Sequence, residues 1–394
     1  MTTPHTAPAG GTTPTRALIV SSAALFTDML VHGLAVPVLP LLPSVVAAGP
    51  EATGILFSSY AAAMIVATLF AGRIVDRYGP RTPLLIGLVG LAAATLLFAT
   101  GGPYWLLLVA RLAQGIAGGM SWVAALSLIA ATTPMEKRGQ SMGIALSTIT
   151  LGVLIGPPLA GFLVEHFGTA SPFLFAAAVA LADGVLRIVF VKDSPRVTDD
   201  TAGPLAVLKV PGSFSIVLAV AVGAAVLSGI EPVLPVHLGA SALTVGLLFG
   251  LAALASIIAN PVVGRLVTTT SPRMLVGAGV AAVTAALVVT GFATELWQTC
   301  IGMILLGVSS ALLLAPATTL ISEQGYKSNP PTLGGSFALY NLAYAAGLAG
   351  GPLLTGISTG QWGFTTAMVI TAVVLAVIGG ASLMRLPRVA RQTE

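Results

Sequence analysis

Twelve long hydrophobic stretches follow one another along the chain, each bounded by a cluster of Pro, Gly or charged residues. Runs such as residues 84–99 are apolar on every helical face, whereas a membrane β-strand would alternate apolar and polar positions. A helix needs about 20 apolar residues to cross the hydrocarbon core of a bilayer. The pattern therefore predicts twelve transmembrane helices, at residues 16–42, 52–75, 82–101, 104–130, 138–164, 171–191, 213–235, 242–267, 273–293, 296–322, 333–356 and 361–384.

The composition agrees with this prediction, because 56% of the 394 residues are hydrophobic and only 8% are charged. Soluble domains carry roughly 25% charged residues. Residues 1–15 are rich in Thr and Pro, and we expect them to form a disordered tail. The first hydrophobic segment is too long for a cleavable signal peptide, so we expect it to remain as a membrane helix.

Lys and Arg residues outside the predicted spans fall on one side of the membrane. They lie at the termini and in the loops that follow even-numbered helices, and the opposite loops carry none. Cytoplasmic segments collect positive charge, so the pattern predicts a multi-pass protein of the cell inner membrane with both termini in the cytoplasm. The same rule accounts for the net charge of +4, and no nucleic-acid partner is expected.

The two halves of the chain repeat each other. Residues 37–40, Pro-Val-Leu-Pro, recur at 232–235, an offset of 232 − 37 = 195. The same offset relates two sets of small residues, Gly152, Gly156, Pro157 and Gly161 in helix 5 and Gly347, Gly351, Pro352 and Gly356 in helix 11. A duplication of this kind places a substrate site between the halves near the bilayer midplane.

We therefore predict an all-α integral membrane fold with two pseudo-symmetric halves of six helices. The predicted segments are an N-terminal half at 16–191, a cytoplasmic linker at 192–212, a C-terminal half at 213–384 and a cytoplasmic tail at 385–394. No filter-like loop or ring of like charges suggests a channel. The architecture favours transport by alternating access.

Three motifs resemble signatures of the major facilitator superfamily. GRIVDRYGPR at 72–81 resembles its Gly-x-x-x-Asp-Arg-x-Gly-Arg-Arg signature, RLAQG at 111–115 resembles the arginine motif of its proton-coupled members, and GVLIGPPLAG at 152–161 resembles the helix 5 motif of its drug antiporters. Residues 26–40 and 138–191 are similar to vesicular monoamine and acetylcholine transporters and their bacterial relatives.

The resemblance implies a proton-driven antiporter that exports organic cations, amines or drugs. The proton gradient would supply the energy, no cofactor is expected, and a monomer is sufficient to form the site. The chain departs from the animal vesicular transporters at Ala311 and Asn341, where they carry acids, and at Tyr60, where they carry a lysine. We therefore expect a multidrug-type relative rather than a vesicular amine loader, with Asn341 as a further residue of the cavity.

Three of the charged residues inside predicted helices are candidates for binding substrate and protons. A charge at the bilayer centre costs roughly 2.5 to 3.5 kcal/mol on insertion scales, so each needs a partner or a function. Asp28 is expected to have no basic neighbour at helical spacing and to bind a cation, the alternative being an interhelical hydrogen bond. Glu231, directly before Pro232 in the first helix of the second half, is the expected proton site, unless it lies partly in water at the helix end. The resemblance marks Arg111 as a proton-coupling residue, with Glu165 or Asp28 as its partner, the alternative being a structural ion pair.

Asp183 and Arg187 form the other intramembrane charge pair, at i and i+4 on helix 6. We interpret this pair as structural and expect Arg187 to extend toward the cytoplasmic headgroups. In the loop after helix 2, a gating role is predicted for Gly72, Asp76, Arg77 and Gly79, the alternative for Asp76 being a solvated charge. The glycines and proline of the helix 5 motif are predicted to allow close helix approach and a bend.

Aromatic side chains can stack on an organic cation. The candidates are Tyr60, Trp122, Phe249, Tyr340 and Tyr344. No metal is expected, because the lone Cys300 and the histidines are not clustered at ligand spacing. Export of a neutral drug, siderophore or other metabolite is the alternative function, and a membrane enzyme is a distant one, since no nucleophile with a base or phosphate loop is present.

Overall fold

The computed structural model describes residues 12–191 and 203–387, and all regular elements in these ranges are helices. Twelve of them are long and apolar enough to cross a membrane, which confirms the predicted fold class. They are α1 (Pro14–Ala35), α2 (Pro43–Tyr78), α3 (Arg81–Ala99), α4 (Tyr104–Thr132), α5 (Met135–Phe167), α6 (Ser171–Phe190), α7 (Ser213–Ile230), α8 (Ala242–Thr269), α9 (Pro272–Gly291), α10 (Leu296–Lys327), α11 (Leu333–Trp362) and α12 (Phe364–Met384).

The first helix of each half breaks at its proline pair. A proline removes a backbone donor and clashes with the preceding turn of a helix. Accordingly α1 stops at Ala35 and a short 3-10 turn follows at Leu39–Leu41, whereas the sequence predicted one helix over 16–42. Similarly α7 stops at Ile230 and a short helix follows at Leu234–Leu238. Glu231 is the residue directly after α7, so it lies at a helix end inside the bundle.

The helix α2 is longer than predicted at both ends. It begins at Pro43, with a break at Gly49, where φ is 87° and Pro50 follows. It runs on to Tyr78 and is ended by Gly79, whose φ of 76° lies in the region that favours glycine. The predicted gating residues therefore lie in the last turns of α2 and at its end rather than in a loop, which corrects the prediction.

The linker predicted at 192–212 is partly helical. Residues 192–202 lie outside the described residues, as do the tails at 1–11 and 388–394. After them a short helix, Pro204–Leu208, packs on α11 and α10, with Val207 buried in the core. This segment is attached to the C-terminal half.

The halves, α1–α6 and α7–α12, meet through two helix pairs, α2 with α11 and α5 with α8. We call the side on which α1 begins and α12 ends the terminal face, and the opposite side the far face. Toward the far face, Gly54 of α2 contacts Gly356 of α11, and Gly161 of α5 contacts Leu243 of α8. The segments Leu39–Leu41 and Leu234–Leu238 are also in contact. The halves are thus packed together at the far face.

The helix 5 motif works through the close approach of backbones. A Cβ placed on Gly156 would lie 2.8 Å from the Cα of Gly33 in α1, and one on Gly152 would lie 2.9 Å from the backbone nitrogen of Leu30. In the second half, a Cβ on Gly351 would lie 3.0 Å from the backbone nitrogen of Gly229 in α7. These distances leave no room for a methyl group, so the repeated glycines hold α5 on α1 and α11 on α7.

We expect Gly156→Ala to destabilise the protein, because neither backbone can move away without separating α1 from α5. Overpacking of this kind costs about 1 to 3 kcal/mol. The matched control is Gly350→Ala in α11, where a Cβ meets nothing within 4 Å and the helix propensity improves. Thermal unfolding of the purified proteins in detergent measures the effect. Equal unfolding temperatures for the two variants would contradict the packing argument.

Candidate functional site

Asp28 lies at the centre of a polar cluster in the N-terminal half. Its side chain is on α1 and is 2% exposed. One oxygen, Oδ2, accepts hydrogen bonds from the Tyr60 hydroxyl of α2 at 3.0 Å and from Trp122 Nε1 of α4 at 2.7 Å. The other oxygen, Oδ1, is buried and has no hydrogen-bond partner among the described residues. Three helices therefore hold the carboxylate by one oxygen and leave the second able to accept a donor.

Glycine shapes the space beside this carboxylate. A Cβ on Gly118 of α4 would lie 2.9 Å from Asp28 Oδ1 and 3.1 Å from the Tyr60 hydroxyl oxygen. A larger residue at position 118 would press on the unpartnered oxygen. No pattern in the sequence identifies Gly118 as a residue of the site, because only the folded structure brings α4 against α1.

Arg111 lies on the other side of Tyr60. It is fully buried on α4, and its Nη1 donates to Gln114 Oε1 at 2.5 Å. Its Cζ lies 5.1 Å from the ring centroid of Tyr60 and 5.2 Å from that of Phe57, which is the range of a cation–π contact. Nε and Nη2 make no hydrogen bond to the described residues. Arg111 is therefore a buried cation with unused hydrogen-bond donors among the described residues.

The predicted partners of Arg111 need a correction. Glu165 is exposed at the far-face end of α5, so it does not neutralise a guanidinium that is fully buried in α4. Asp28 and Glu231 instead interact with Arg111 electrostatically without a direct hydrogen bond. The guanidinium is held by an amide and two aromatic faces in the field of two carboxylates.

Glu231 meets a residue that the sequence analysis missed. Its Oε2 lies 3.7 Å from Nε2 of His32, within ion-pair distance, and the two side chains are only 12% and 11% exposed. His32 is on α1, four residues after Asp28, so it lies on the same helical face. The expectation that Asp28 has no basic neighbour at helical spacing was wrong. The i, i+4 spacing of Asp28 and His32 in the sequence indicates that the two side chains lie on one face of α1.

The aromatic candidates separate into two groups. Tyr60 and Trp122 bind Asp28 directly, and Tyr344 of α11 packs in a cluster with Tyr60. Tyr340 stacks on Tyr344 with ring centroids 6.4 Å apart. Phe249, in contrast, is packed in the main hydrophobic core. The geometry thus places four of the five candidates next to the charged cluster or one ring away from it.

Asp183 and Arg187 form the predicted ion pair on α6. Arg187 is 1% exposed and also donates to the backbone oxygen of Leu84 in α3 at 2.7 Å. It therefore does not extend to the membrane surface, which corrects the prediction. The backbone oxygen of Leu84 is a nearby acceptor for Arg187, whereas the lipid headgroups are distant. The hydrogen bond of Arg187 to Leu84 therefore links α6 to α3.

The remaining predicted residues lie away from the cluster. Arg77 is exposed, with its Cζ 5.3 Å from the ring centroid of Tyr78, while the side chain of Asp76 and the surroundings of Gly72 lie outside what the structure describes. Asn341 is half-buried on α11. In the described ranges, no group of three or more His, Cys, Asp or Glu residues could hold a metal ion.

The profile of the Major Facilitator Superfamily matches residues 21–237 and 212–394, two overlapping matches that together cover both halves. The chain belongs to the major facilitator superfamily. This is a superfamily of transporters rather than enzymes, and both the helix count and the internal repeat of the chain agree with it.

Amine transporters are among the similar proteins. The chain is 32% identical to the chromaffin granule amine transporter of Rattus norvegicus over 334 residues, which cover 80% of the chain and 62% of that relative. It is 38% identical to the synaptic vesicular amine transporter of Homo sapiens over 149 residues, or 38% of the chain and 29% of that relative. The aligned region therefore spans less than two thirds of these relatives.

Solved structures share the fold at low identity. A bacterial homolog of the human lysosomal transporter Spinster matches with a TM-score of 0.78 and 15% identity, over 94% of this chain and 96% of that one. The human organic anion transporter MFSD10 matches with a TM-score of 0.69 and 19% identity, over 94% of this chain and 99% of that one. Structural similarity at this level describes the fold alone, so the substrate must be argued from the site.

We expect the Arg187→Gln variant to be less stable than the wild type, because the substitution leaves Asp183 as an uncompensated buried charge. Removing one partner of a buried pair costs about 3 to 5 kcal/mol. The double variant Asp183→Asn with Arg187→Gln should recover part of that loss. Thermal unfolding of the wild type, both single variants and the double variant completes the cycle. Purely additive losses would show that the two charges are not coupled.

Proposed function

We propose that the protein is a proton-coupled antiporter that exports organic cations, including amines, by alternating access between its two halves. The observation that carries the proposal is the buried Asp28 carboxylate, held by Tyr60 and Trp122 through one oxygen while the other has no partner. A buried negative charge with a free acceptor attracts a cation that can donate a hydrogen bond. The adjacent aromatic rings supply apolar surface and cation–π attraction for the rest of such a molecule.

The relatives support the class of substrate. Two different mammalian amine transporters are similar to this chain, and one of them aligns over 80% of it. An amine is an organic cation at neutral pH, which agrees with a site built around a carboxylate. The alternative of a neutral cargo gives no role to the unpartnered oxygen of Asp28 except proton binding.

Proton coupling is supported by the distribution of acids. Asp28 belongs to the N-terminal half and Glu231 to the C-terminal half, and both interact with Arg111. One carboxylate can respond to the substrate and the other to the proton. Because Ala311 and Asn341 carry no charge, neither of these helix 10 and 11 positions can replace Glu231.

The distribution of basic residues and the packing of the two halves support export as the direction of transport. Basic residues outside the spans collect on the terminal face, so this face is assigned to the cytoplasm and both termini with it, in the cell inner membrane. The halves are packed together at the far face, so this arrangement corresponds to a site that receives substrate from the cytoplasm or the inner leaflet. The predicted role of residues 72–79 is to favour one of the two conformations.

Asp28→Asn should abolish efflux of cations while the protein still folds, because the substitution removes the charge and keeps the size. Uptake of a lipophilic cation such as ethidium into inverted vesicles, competed by a panel of cationic and neutral compounds, measures this. Glu165→Gln is the matched control, since it neutralises an exposed carboxylate. Full cation transport by Asp28→Asn, or competition by the neutral compounds alone, would argue for a neutral cargo.

Glu231→Gln should still bind a cation through Asp28 but should not accumulate it when a pH gradient is imposed, because the amide cannot exchange a proton. Glu231→Asp should keep part of the activity. Accumulation in proteoliposomes with and without the gradient, alongside equilibrium binding, separates coupling from binding. Normal gradient-driven accumulation by Glu231→Gln would refute this division, and loss of binding would mean that both carboxylates hold the substrate.

A further inference from the structure

A continuous row of polar side chains joins the two acids of the site. Asp28 accepts a hydrogen bond from Tyr60, the ring of Tyr60 lies 5.1 Å from that of His32, and His32 lies 3.7 Å from Glu231. The first three residues belong to the N-terminal half and Glu231 to the C-terminal half. His32 is therefore the residue of this row that contacts the opposite half, through Glu231.

The charges of this cluster do not balance when His32 is neutral. Asp28 and Glu231 contribute two negative charges, and Arg111 contributes one positive charge. Tyr60 and Tyr344 are uncharged at neutral pH. One negative charge is left in a region where Asp28, Tyr60, His32 and Arg111 are all buried. Either one added proton or one substrate cation neutralises it, and a buried cluster favours the neutral total.

Titratable groups around His32 come from several helices. Asp28 is on its own helix, Tyr60 on α2, Arg111 on α4 behind Tyr60, Glu231 at the end of α7 and Tyr344 on α11. The helix α6 also packs on α1, and its charged residues Asp183 and Arg187 pair with each other. Next to His32, α5 presents Gly156 and Pro157 against Gly33, and these residues do not titrate. Imidazole is the side chain whose charge ordinarily changes between pH 5 and 8, whereas arginine and tyrosine keep their protons there.

We propose that His32 is the proton carrier of the exchange, holding a proton against Glu231 while the far face is closed and losing it when a substrate cation binds at Asp28. This inference rests on the proposed antiport and names the group that it uses. The proton leaves Nε2 of His32 for water on the cytoplasmic side, and one positive charge replaces another in the cluster. The proton assigned to Glu231 in the proposed function is thus held by the pair that Glu231 forms with His32, in which the carboxylate stabilises the imidazolium.

The same contact links protonation to conformation. Imidazolium and carboxylate attract each other across the interface, so the protonated pair holds the far-face ends of the halves together. Without the imidazolium charge this attraction is lost, and the cation-loaded protein can open the far face. There the cation leaves as a proton from the outside returns to His32. The two loaded forms thus favour opposite conformations, as antiport requires.

The first test compares His32→Gln with the wild type and with His166→Gln, which changes an exposed histidine at the far end of α5. If each cation displaces one proton, the dissociation constant of a lipophilic cation such as tetraphenylphosphonium should rise about tenfold for each unit of falling pH, over the pH range in which His32 is protonated in the free protein. We expect this slope in the wild type and in His166→Gln, and a flat profile in His32→Gln. An unchanged slope in His32→Gln overturns the inference.

Transport distinguishes failure of this inference from failure of the proposed function. In proteoliposomes with an imposed pH gradient, His32→Gln should equilibrate the cation without accumulating it, while His166→Gln accumulates it as the wild type does. Gradient-driven accumulation by His32→Gln at the wild-type level would remove His32 from the coupling and leave the antiport in place. Absence of accumulation in the wild type would overturn the antiport and this inference with it.

A second measurement leaves His32 intact. The chain has four histidines, so a variant with His5, His166 and His237 changed to Gln keeps one imidazole. With ¹⁵N-labelled histidine, NMR in detergent micelles at about pH 6 reports its protonation. Saturating tetraphenylphosphonium should convert it from imidazolium to the neutral form, and Asp28→Asn in the same background should prevent the change. A spectrum that does not respond to the cation refutes the proposal.

Discussion

The structure depends on how a few charges are held in an apolar bundle. A charge that leaves water without compensation is expensive, so each intramembrane ionisable group must be paired, be hydrogen-bonded or exchange its charge with a ligand. Asp183 and Arg187 satisfy each other within one helix, and Arg187 uses a further donor on α3. Asp28, Arg111, His32 and Glu231 are satisfied only in part among the described residues, and the contact of His32 with Glu231 joins the two halves. The first group stabilises a half, and the second is the site proposed for substrate and proton.

Close backbone contact is the second requirement, because the partly satisfied cluster needs fixed distances. Glycines at repeat-related positions bring α5 onto α1 and α11 onto α7, and others bring α2 and α5 onto their partners in the opposite half. Since lipid tails are as apolar as Leu, helices in a membrane associate through such packing rather than through the hydrophobic effect. Glu231 lies at the proline break that ends α7, whereas Asp28 lies about two turns before the end of α1. Each half thus contributes one acid from its first helix.

Much of the fold could be predicted because membrane constraints act locally. The hydrophobic segments gave the twelve helices, although the first predicted helix of each half ran through its proline pair and α2 begins earlier and ends later than predicted. For the site, Asp28, Arg111 and Glu231 were identified by the cost of burying a charge, which needs no knowledge of neighbours. Arg187 was assigned the wrong surroundings, because its acceptor on Leu84 belongs to another helix.

The sequence by itself determined the solvent, the number of helices, the duplication and the short set of charged residues that must have a role, since each follows from composition or spacing along the chain. The tertiary structure alone decided which of these charges meet. The contact between His32 and Glu231 joins opposite halves, the cation–π contacts of Arg111 join α4 to α2, and the space at Gly118 exists because α4 lies on α1. Such contacts depend on the rotation and depth of whole helices relative to one another. Those are fixed by packing over the entire interface, and no local pattern of residues encodes them.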